Sequence, residues 1–567
     1  MCCGMVKFSI VAGGLLVVAL TSSCDFLRGY AEGPSSTYSG FVAAAGPLDA
    51  RERGAARFLF DDFKSLNTDT LQTNALPWKW IVASMLTLHP QWITGEPDED
   101  DYLIALEAEY GFVRPTGVGN WPMSASASPP FARNLGIVAG TVERGIPAVR
   151  FEATNHGCAT CHASNLWDAQ GQPTREVWMG LPSTSIHLAR YSKDVYTAMR
   201  TTSSDPDLLA ATTTMMDRVF PAIDPLERQT LLTLVVPAIK NAIGGASAPT
   251  SPTPFDNGGP GMTNSVGHVK RHFHILDDRQ ASKEIAFTQI TELFSMPMRS
   301  SVLCDGVYRP KGTEAFVPRR HDAADAVAHS RRLADVVTLF TISTLGVPIQ
   351  RAHENVPAVA EVMESFARND RSPPFPGTIN LDTATRGLEV FQARCAACHG
   401  QVHIEERRVV IDEFPNALSS FEEIGTDPAR GLAANPEVLK VIGTVPIGEL
   451  ITAESHNGYL APALLATWAT APYLHNGSVP TLWHLMHPDQ RPARFEQGGH
   501  ALDFDKVGIA GVQDGDLWRY PDGYTPWMRK DVVDTTGAGR THVGHTSPFT
   551  EMSEAEKTDV TELLKLF

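Results

Sequence analysis

The chain has 567 residues, of which 43% are hydrophobic, enough apolar material for two or three well-packed domains. Its formal net charge is −17 at pH 7, which argues against a nucleic-acid partner, because phosphate backbones are bound by basic surfaces. The same charge permits docking to a basic protein.

The N-terminus has the pattern of an export signal. A short start is followed by the apolar run Phe8–Leu20, which is too short for a transmembrane helix of about 20 residues. The small residues Thr21–Ser23 then precede Cys24, as at a bacterial lipoprotein cleavage site. We therefore expect a signal peptide over 1–23 and a lipidated Cys24. A polar tether over 24–45 would hold the exported protein at the membrane, on the periplasmic or cell-surface side.

Two copies of the pattern Cys-x-x-Cys-His stand out in the rest of the chain. Their members are Cys158, Cys161, His162, Cys395, Cys398 and His399. Two thiols at this spacing can add to the vinyl groups of one haem, and the adjacent histidine can then ligate the iron. A zinc site would need paired clusters at closer spacing, and a thioredoxin-type site would not explain the histidine in both copies. The sequence therefore predicts two covalently bound c-type haems, with His162 and His399 as iron ligands.

The chain around the motifs divides into two parts. Residues 138–142 and 146–151 flank a short turn and predict a β-hairpin that leads into the first motif. The proline-rich stretch 369–377 breaks the chain between the motifs. We therefore expect an N-terminal region with the first haem domain over 46–375 and a second cytochrome c domain over 376–567.

The remaining cysteines leave no pair for an intramolecular disulfide. Cys2 and Cys3 fall in the signal peptide, Cys24 takes lipid, and four cysteines hold haem, so Cys304 alone is left. We interpret Cys304 as a small, buried apolar residue.

The second haem domain has recognisable terminal helices. Asp382 or Thr383 can cap a helix that carries Gly387, and Ser553–Glu556 is a capping box in front of an amphipathic terminal helix. Two such helices cross in a cytochrome c fold, with a glycine at their close approach. A generic amphipathic helix is the alternative reading of the C-terminus. We predict a mainly α fold with two cytochrome c-like haem domains, long loop-rich insertions and little β-structure.

Three further stretches carry a family resemblance: Trp178–Ile186 (WMGLPSTSI), Gly258–Asn264 (GGPGMTN) and Trp468–Leu482 (WATAPYLHNGSVPTL). With the two haem motifs, they make the chain resemble the di-haem superfamily that joins bacterial cytochrome c peroxidases and rubber-oxygenase-like c-type cytochromes. The resemblance runs from about residue 100 to the end and is closest to the oxygenase-like branch, which has many members of unknown activity. It implies a mostly α-helical protein with two cytochrome c-like domains.

The resemblance also implies a second iron ligand at haem 2. Family members carry a Gly-His pair before the terminal helix, and that histidine is the distal ligand, which here matches His545. His542 is the nearby alternative. His475, in the third stretch, is expected to contact the haem environment, with iron ligation as its alternative role.

The distal side of haem 1 is assigned by the same resemblance to the segment that begins near residue 254. Phe255 or Phe273 over the iron would leave an open, dry site for dioxygen or peroxide. Residues that could instead close the site as a sixth ligand are Met262, Met296, His268, His272 and His274. A removable ligand, gated by reduction of the other haem, is a further possibility from the peroxidase branch.

These features predict a di-haem redox protein. Haem 1 would be an open or gated site of a peroxidase-like or oxygenase-like oxidoreductase, and haem 2 a bis-histidine electron-transfer centre. The alternative is an electron-transfer cytochrome with both irons six-coordinate. We expect a small redox protein or a quinol-linked donor as the partner, with the membrane contacted through the lipid anchor.

Overall fold

The computed structural model describes residues 36–66, 75–122, 129, 131–144, 148–245, 251–253, 255–273, 275, 280, 283–320, 324–368 and 371–567. The predicted signal peptide, Cys24, the start of the tether and His274 lie outside these residues, and only the backbone of His272 is described. Among the described residues, no helix is long and apolar enough to cross a membrane.

The predicted fold class, mainly α with two cytochrome c-like domains and little β-structure, is wrong. Of the described residues, 43% are helical and 17% lie in strands, and these strands form eight small sheets. The reason is local: the insertions that we expected to be loops pair with one another as short strands and so satisfy their backbone hydrogen-bonding groups. The first haem motif itself lies between two sheets.

The N-terminal part combines a helical layer with these two sheets. Its helices are Ser36–Ala45, Ala50–Phe60, Trp78–Leu88, Pro90–Trp92, Glu99–Tyr110, Cys158–His162, Leu188–Ser204, Pro206–Val219, Pro225–Thr230, Leu231–Val235 and Val236–Ile243. Its strands are Leu76–Pro77, Gly117–Val118, Ile137–Arg144, Val149–His156, Ala163–Trp167 and Pro173–Met179. The predicted hairpin is confirmed, since Ile137–Arg144 and Val149–His156 pair antiparallel along their full length.

The middle of the chain is held by two long helices. Its helices are Ser265–His272, Met296–Met298, Ala326–Leu345, Ala352–Asn355 and Val356–Arg368. Its strands are Met262–Thr263, Thr288–Gln289, Tyr308–Pro310 and Arg319–Arg320. Gly346, in the left-handed conformation, ends the longest helix.

The C-terminal part begins and ends with a helix and has many short strands between them. Its helices are Leu381–Arg394, Ala396–His399, Phe421–Ile424, Ala429–Ala433, Pro436–Ile442, Pro446–Leu450, Thr467–Ala469, Leu482–Met486, Pro488–Gln490, Phe549–Glu551 and Glu554–Leu564. Its strands are Gln401–Glu405, Arg408–Phe414, Leu418–Ser420, Ile451–Ala453, Gly458–Leu460, Arg494–Gln497, Leu502–Asp503, Gly508–Ile509, Val512–Asp514, Leu517–Arg519 and Asp531–Asp534.

The first and last of these helices pack against each other at a glycine. A Cβ on Gly387 would lie 2.1 Å from the carbonyl oxygen of Asp559, so only glycine permits this approach. The Ser553 capping box is confirmed. The first helix, however, is capped by Asn380, whose side chain accepts from Thr383 N–H, and not by Asp382 or Thr383. The predicted crossing of the two helices is therefore present.

Two large hydrophobic cores run through the molecule, and each draws on both halves of the chain. One core is mostly N-terminal but includes Val438, Ile442 and Ile447. The other is mostly C-terminal but includes Trp167 and Phe294. The boundary at 375/376 stays a prediction; the packing of side chains continues across it.

Candidate haem-binding sites

The first Cys-x-x-Cys-His motif is positioned by the hairpin before it. Val149–His156 runs into the short helix Cys158–His162, and Gly157 N–H donates to Gly136 O over 2.7 Å. Thr160 Oγ1 donates to the same carbonyl over 3.0 Å. Gly136 has a φ of +76°, and a Cβ there would lie 2.1 Å from Thr160 Oγ1. The motif helix is thus fixed against the start of the hairpin.

A main-chain carbonyl orients the His162 imidazole. Its Nδ1 lies 2.9 Å from Thr291 O. Because a carbonyl oxygen can only accept, Nδ1 carries the ring proton and Nε2 keeps its lone pair. Burial lowers the pKa of His162 and so favours the neutral ring, which is the form that ligates a metal.

The second motif repeats this arrangement with unrelated neighbours. Its histidine, His399, donates from Nδ1 to Pro462 O over 2.8 Å, and burial lowers its pKa as well. Nε2 is again left with its lone pair. Second-sphere hydrogen bonds of this kind fix the tautomer and direction of metal-binding histidines in general.

The motif cysteines are available for thioether formation. Cys158, Cys161, Cys395 and Cys398 are half-buried free thiols. Burial raises the pKa of Cys158, Cys161 and Cys395 to about 12, so these side chains are neutral. Two free thiols and one directed Nε2 at each motif are the set of groups that a c-type haem requires, so the residues fit the group.

His545 faces His399 across a gap of the right size for a metal ion. The two ring centres are 6.2 Å apart and the rings are tilted by 52°. Two imidazoles that bind opposite faces of one metal ion, with bonds of about 2 Å each, have ring centres roughly 6 Å apart. Burial, followed by the charge of His399, lowers the pKa of His545 to about 4, so the ring is neutral and can act as a ligand.

The alternative ligand His542 is engaged elsewhere. Its Nδ1 lies 2.7 Å from Thr535 Oγ1, and its ring is half-buried. The structure therefore brings His545, rather than His542, next to the second motif. Ligation of iron by His545 stays a prediction.

Arg491, which no sequence motif singled out, supports the His545 loop. Its guanidinium donates to the carbonyl oxygens of His542 over 2.6 Å and Gly544 over 2.8 Å. Its other donors reach the carbonyl oxygens of His484 and Leu485 over 3.2 and 2.9 Å. A buried arginine that binds only carbonyls leaves no sequence pattern, because any residue can supply the acceptor.

His475 lies in the interior between segments that belong to both motifs. Its carbonyl oxygen accepts from Gln289 N–H over 2.8 Å, two residues before the Thr291 carbonyl that orients His162. Its ring stacks on Tyr459 at 4.1 Å, three residues before Pro462. Its Nε2 is buried and has no hydrogen-bond partner among the described residues.

The predicted distal residues of haem 1 lie in different environments. Phe255 packs edge-on against the His268 ring at 4.9 Å, and Phe273 is buried in the N-terminal core. His268 Nε2 is bonded to Asn257 Oδ1 at 2.9 Å, and Met296 is buried in the same core as Phe273. None of these placements tests the distal assignment.

A polar cleft of about 780 Å³ opens beside Phe255. It is lined by residues 255–259, by the strand Asp531–Asp534 and by Arg540, whose guanidinium lies over the Phe287 ring at 4.9 Å. The segment 255–259 leads directly to Met262–Thr263, which pairs with Thr288–Gln289 near the first motif. This cleft therefore opens next to the segment that we expect over haem 1.

Comparisons with known proteins agree with this part of the chain. Residues 458–496 match a family described as RoxA-like, cytochrome c-like. The "Uncharacterized protein y4iM" of Sinorhizobium fredii (strain NBRC 101917 / NGR234) is 31% identical over 169 residues, which is 24% of this chain and 36% of the relative. The "Uncharacterized protein y4iJ" of the same organism is 29% identical over 192 residues, 24% of this chain and 32% of the relative. The chain thus matches only about a third of the length of these relatives, and neither name states an activity.

The matched segment contains much of the second site. Pro462, which orients His399, lies within it, as do His475 and Arg491. The match does not distinguish the oxygenase-like branch from other branches. The similarity of residues 458–496 to this family supports a c-type cytochrome redox role with haem as the cofactor.

Proposed function

We propose that this protein is an exported di-haem c-type cytochrome, in which haem 1 is an open or gated site for peroxide or dioxygen and haem 2 is a bis-histidine electron-transfer centre. One observation carries the proposal: in both motifs the histidine donates from Nδ1 to a main-chain carbonyl, which leaves Nε2 for iron. Haem, when bound, supplies one-electron chemistry and, where its sixth position is open, binding of oxygen species.

The residues around the second motif support a closed centre. His399 and His545 approach from two sides, and Arg491 fixes the loop that carries His545. Buried Trp468 and Phe391 belong to the hydrophobic core around this motif and give it apolar surroundings. A closed, water-poor centre transfers electrons with little rearrangement, which is the role that we assign to haem 2.

The first motif differs in our proposal, in which no second histidine ligates the iron opposite His162. Phe255 and Phe273 are our candidates for an apolar distal cover, and the 780 Å³ cleft is the proposed entrance. An apolar cover would keep water out and leave the sixth position free. The same proposal includes export by the signal peptide 1–23 and anchoring through Cys24. It also includes an electron donor, which is a small redox protein or quinol-linked.

Haem stoichiometry tests the attachment. Wild-type protein should retain two haems per chain after denaturation in acidified acetone. Cys158→Ala combined with Cys161→Ala should retain one, because the thioethers of the first motif cannot form. Cys304→Ala, which removes a free thiol outside the motifs, should retain two. A ratio of two in the double variant would contradict attachment at the first motif.

Carbon monoxide tests the division of roles. Reduced protein should bind it at one haem, and peroxide or dioxygen should perturb the optical bands of that same haem. Absence of binding in both the half-reduced and fully reduced states would leave the pure electron-transfer cytochrome as the function.

A further inference from the structure

A charged cluster lies in the interior near the second site, and no sequence motif predicted it. Arg430, in the helix Ala429–Ala433, is 1% exposed, and Asp305 is 0% exposed. Arg430 Nη1 lies 2.7 Å from Asp305 Oδ2. The two charges compensate each other, but burial of an ion pair is unfavourable unless its remaining donors are also satisfied.

Those donors are not satisfied within the described chain. Arg430 Nε, Nη1 and Nη2 and Asp305 Oδ2 all lack a hydrogen-bond partner there, so no guanidinium N–H points along the 2.7 Å contact. Buried N–H groups are strongly unfavourable when unpaired, so those of Arg430 indicate an acceptor outside the described residues.

The cluster is bonded to the segments that carry both proposed ligands of haem 2. Tyr459 stacks on His475 and donates to Asp427 O over 2.7 Å, and it lies three residues before Pro462, which orients His399. Asp427 Oδ2 accepts from Thr541 Oγ1 over 2.8 Å, four residues before His545.

The His545 side of the second site reaches the cluster as well. His545 N–H donates to Ile424 O, and Gly544 packs on Gly425. The stretch 424–430 therefore connects the His545 loop to the helix that carries Arg430.

We infer that Arg430, held in place by Asp305, binds a propionate carboxylate of haem 2. A propionate is an anionic acceptor with two oxygens, and a guanidinium is the side chain best suited to pair with it. The inference rests on the proposed haem at the second motif and adds two positioning residues to it. Arg430 and Asp305 touch no reacting group; they act on the cofactor's charge.

The arrangement predicts shifts of opposite sign in the midpoint potential. A cation beside the haem disfavours the oxidised, more positive iron, so Arg430→Gln should lower the potential of the low-spin haem. Asp305→Asn removes the compensating anion and should raise it. The double variant should lie between the two, and Arg430→Lys should recover part of the wild-type potential, since it restores the charge without the planar fork.

The test uses full-length holoprotein of these variants. Potentials are measured by optical redox titration, and propionate contacts by the propionate bending bands in resonance Raman spectra. Arg133→Gln is the matched control, because Arg133 is a half-buried arginine that donates to Glu99 and Glu152. It should leave the potential and the propionate bands of haem 2 unchanged.

Haem content and the low-spin electron paramagnetic resonance signal separate this inference from the proposed function. Opposite shifts and altered propionate bands with both haems retained would support the inference. Wild-type potentials and bands in every variant, with both haems retained, would show that Arg430 and Asp305 form a structural ion pair only. If Arg430→Gln does not accumulate as folded protein, the potentials and propionate bands of Asp305→Asn and Arg430→Lys test the inference instead. A wild-type protein without the low-spin signal would overturn the proposed bis-histidine centre, and this inference with it.

Discussion

At the scale of single residues, the second site depends on the imidazole of His545, which lies on a loop. His545→Ala should remove the ligand opposite His399 and open haem 2, so that the reduced variant binds carbon monoxide at both haems. His542→Ala is the control, because its ring is bonded to Thr535 and does not face His399. Optical titration with carbon monoxide measures the difference. An unchanged low-spin signal in His545→Ala would move the assignment to His542 or His475.

A second residue-scale prediction concerns acid. Burial acts to raise the pKa of Asp531, but its hydrogen bond with His187 and the charges of His187 and Arg190 outweigh burial and hold the pKa below its usual range. A depressed carboxyl pKa stabilises the fold above the unfolded value of about 3.9, and this contribution is lost as pH falls through the folded value. The contact between the helix Leu188–Ser204 and the strand Asp531–Asp534 should therefore weaken in acid.

The measurement is the free energy of unfolding of Asp531→Asn between pH 7 and pH 3. The variant should be less stable than wild type at pH 7, and the difference between their free energies of unfolding should shrink towards pH 3. Exposed Asp489→Asn serves as the control and should follow wild type throughout. A difference that stays constant over this range would mean that Asp531 contributes nothing to the acid response.

At the scale of elements, the crossing of the first and last C-terminal helices depends on a missing side chain. Gly387→Ala places a Cβ 2.1 Å from Asp559 O and should force the helices apart, at a cost of about 1–3 kcal/mol in the free energy of unfolding. Gly40→Ala is the matched control, because Gly40 is also helical and has no atom within 4 Å of its Cβ position. That variant should be neutral or more stable by up to about 1 kcal/mol. Equal melting temperatures of the two variants would contradict the close approach.

Secondary-structure elements could be predicted from sequence where a few adjacent residues determine them. The hairpin before Cys158, the capping box at Ser553 and the glycine at the helix crossing each follow from a few adjacent residues. The small sheets were not predictable, because strands as short as Met262–Thr263 and Thr288–Gln289 pair across long stretches of sequence and have no periodicity of their own. The acidic run 96–101 has a local role as well: Asp98 and Asp101 form the capping box of the helix Glu99–Tyr110.

The same distinction applies to the site. The motif residues and His545 could be identified from sequence, because the chemistry requires those side chains at that spacing. Arg491 and the Arg430–Asp305 pair could not, since their partners are main-chain carbonyls or lie 125 positions away in the chain. Long-range contacts between ordinary residues leave no local signal.

At the scale of the whole molecule, each of the two large cores draws on both halves of the chain. Val438, Ile442 and Ile447, in the second half of the chain, are buried against the first half. A fragment of residues 376–567 would expose these side chains, so we expect it to bind 8-anilinonaphthalene-1-sulfonate and to lack a native near-ultraviolet circular dichroism spectrum. The full chain is the control. A fragment with native spectra and one haem would instead support a boundary at 375/376.

The two carbonyls that orient His162 and His399 have a consequence for how the protein tolerates mutation. Thr291 and Pro462 contribute through main-chain oxygen atoms, which every amino acid possesses. Substitution at either position leaves the acceptor in place as long as the backbone keeps its path. The hydrogen bond from each Nδ1 is therefore kept when the residue that accepts it is substituted. A carboxylate side chain in the same role would be lost on substitution. Random mutagenesis should therefore recover inactive variants at the motif histidines and, by comparison, few at the positions that aim them.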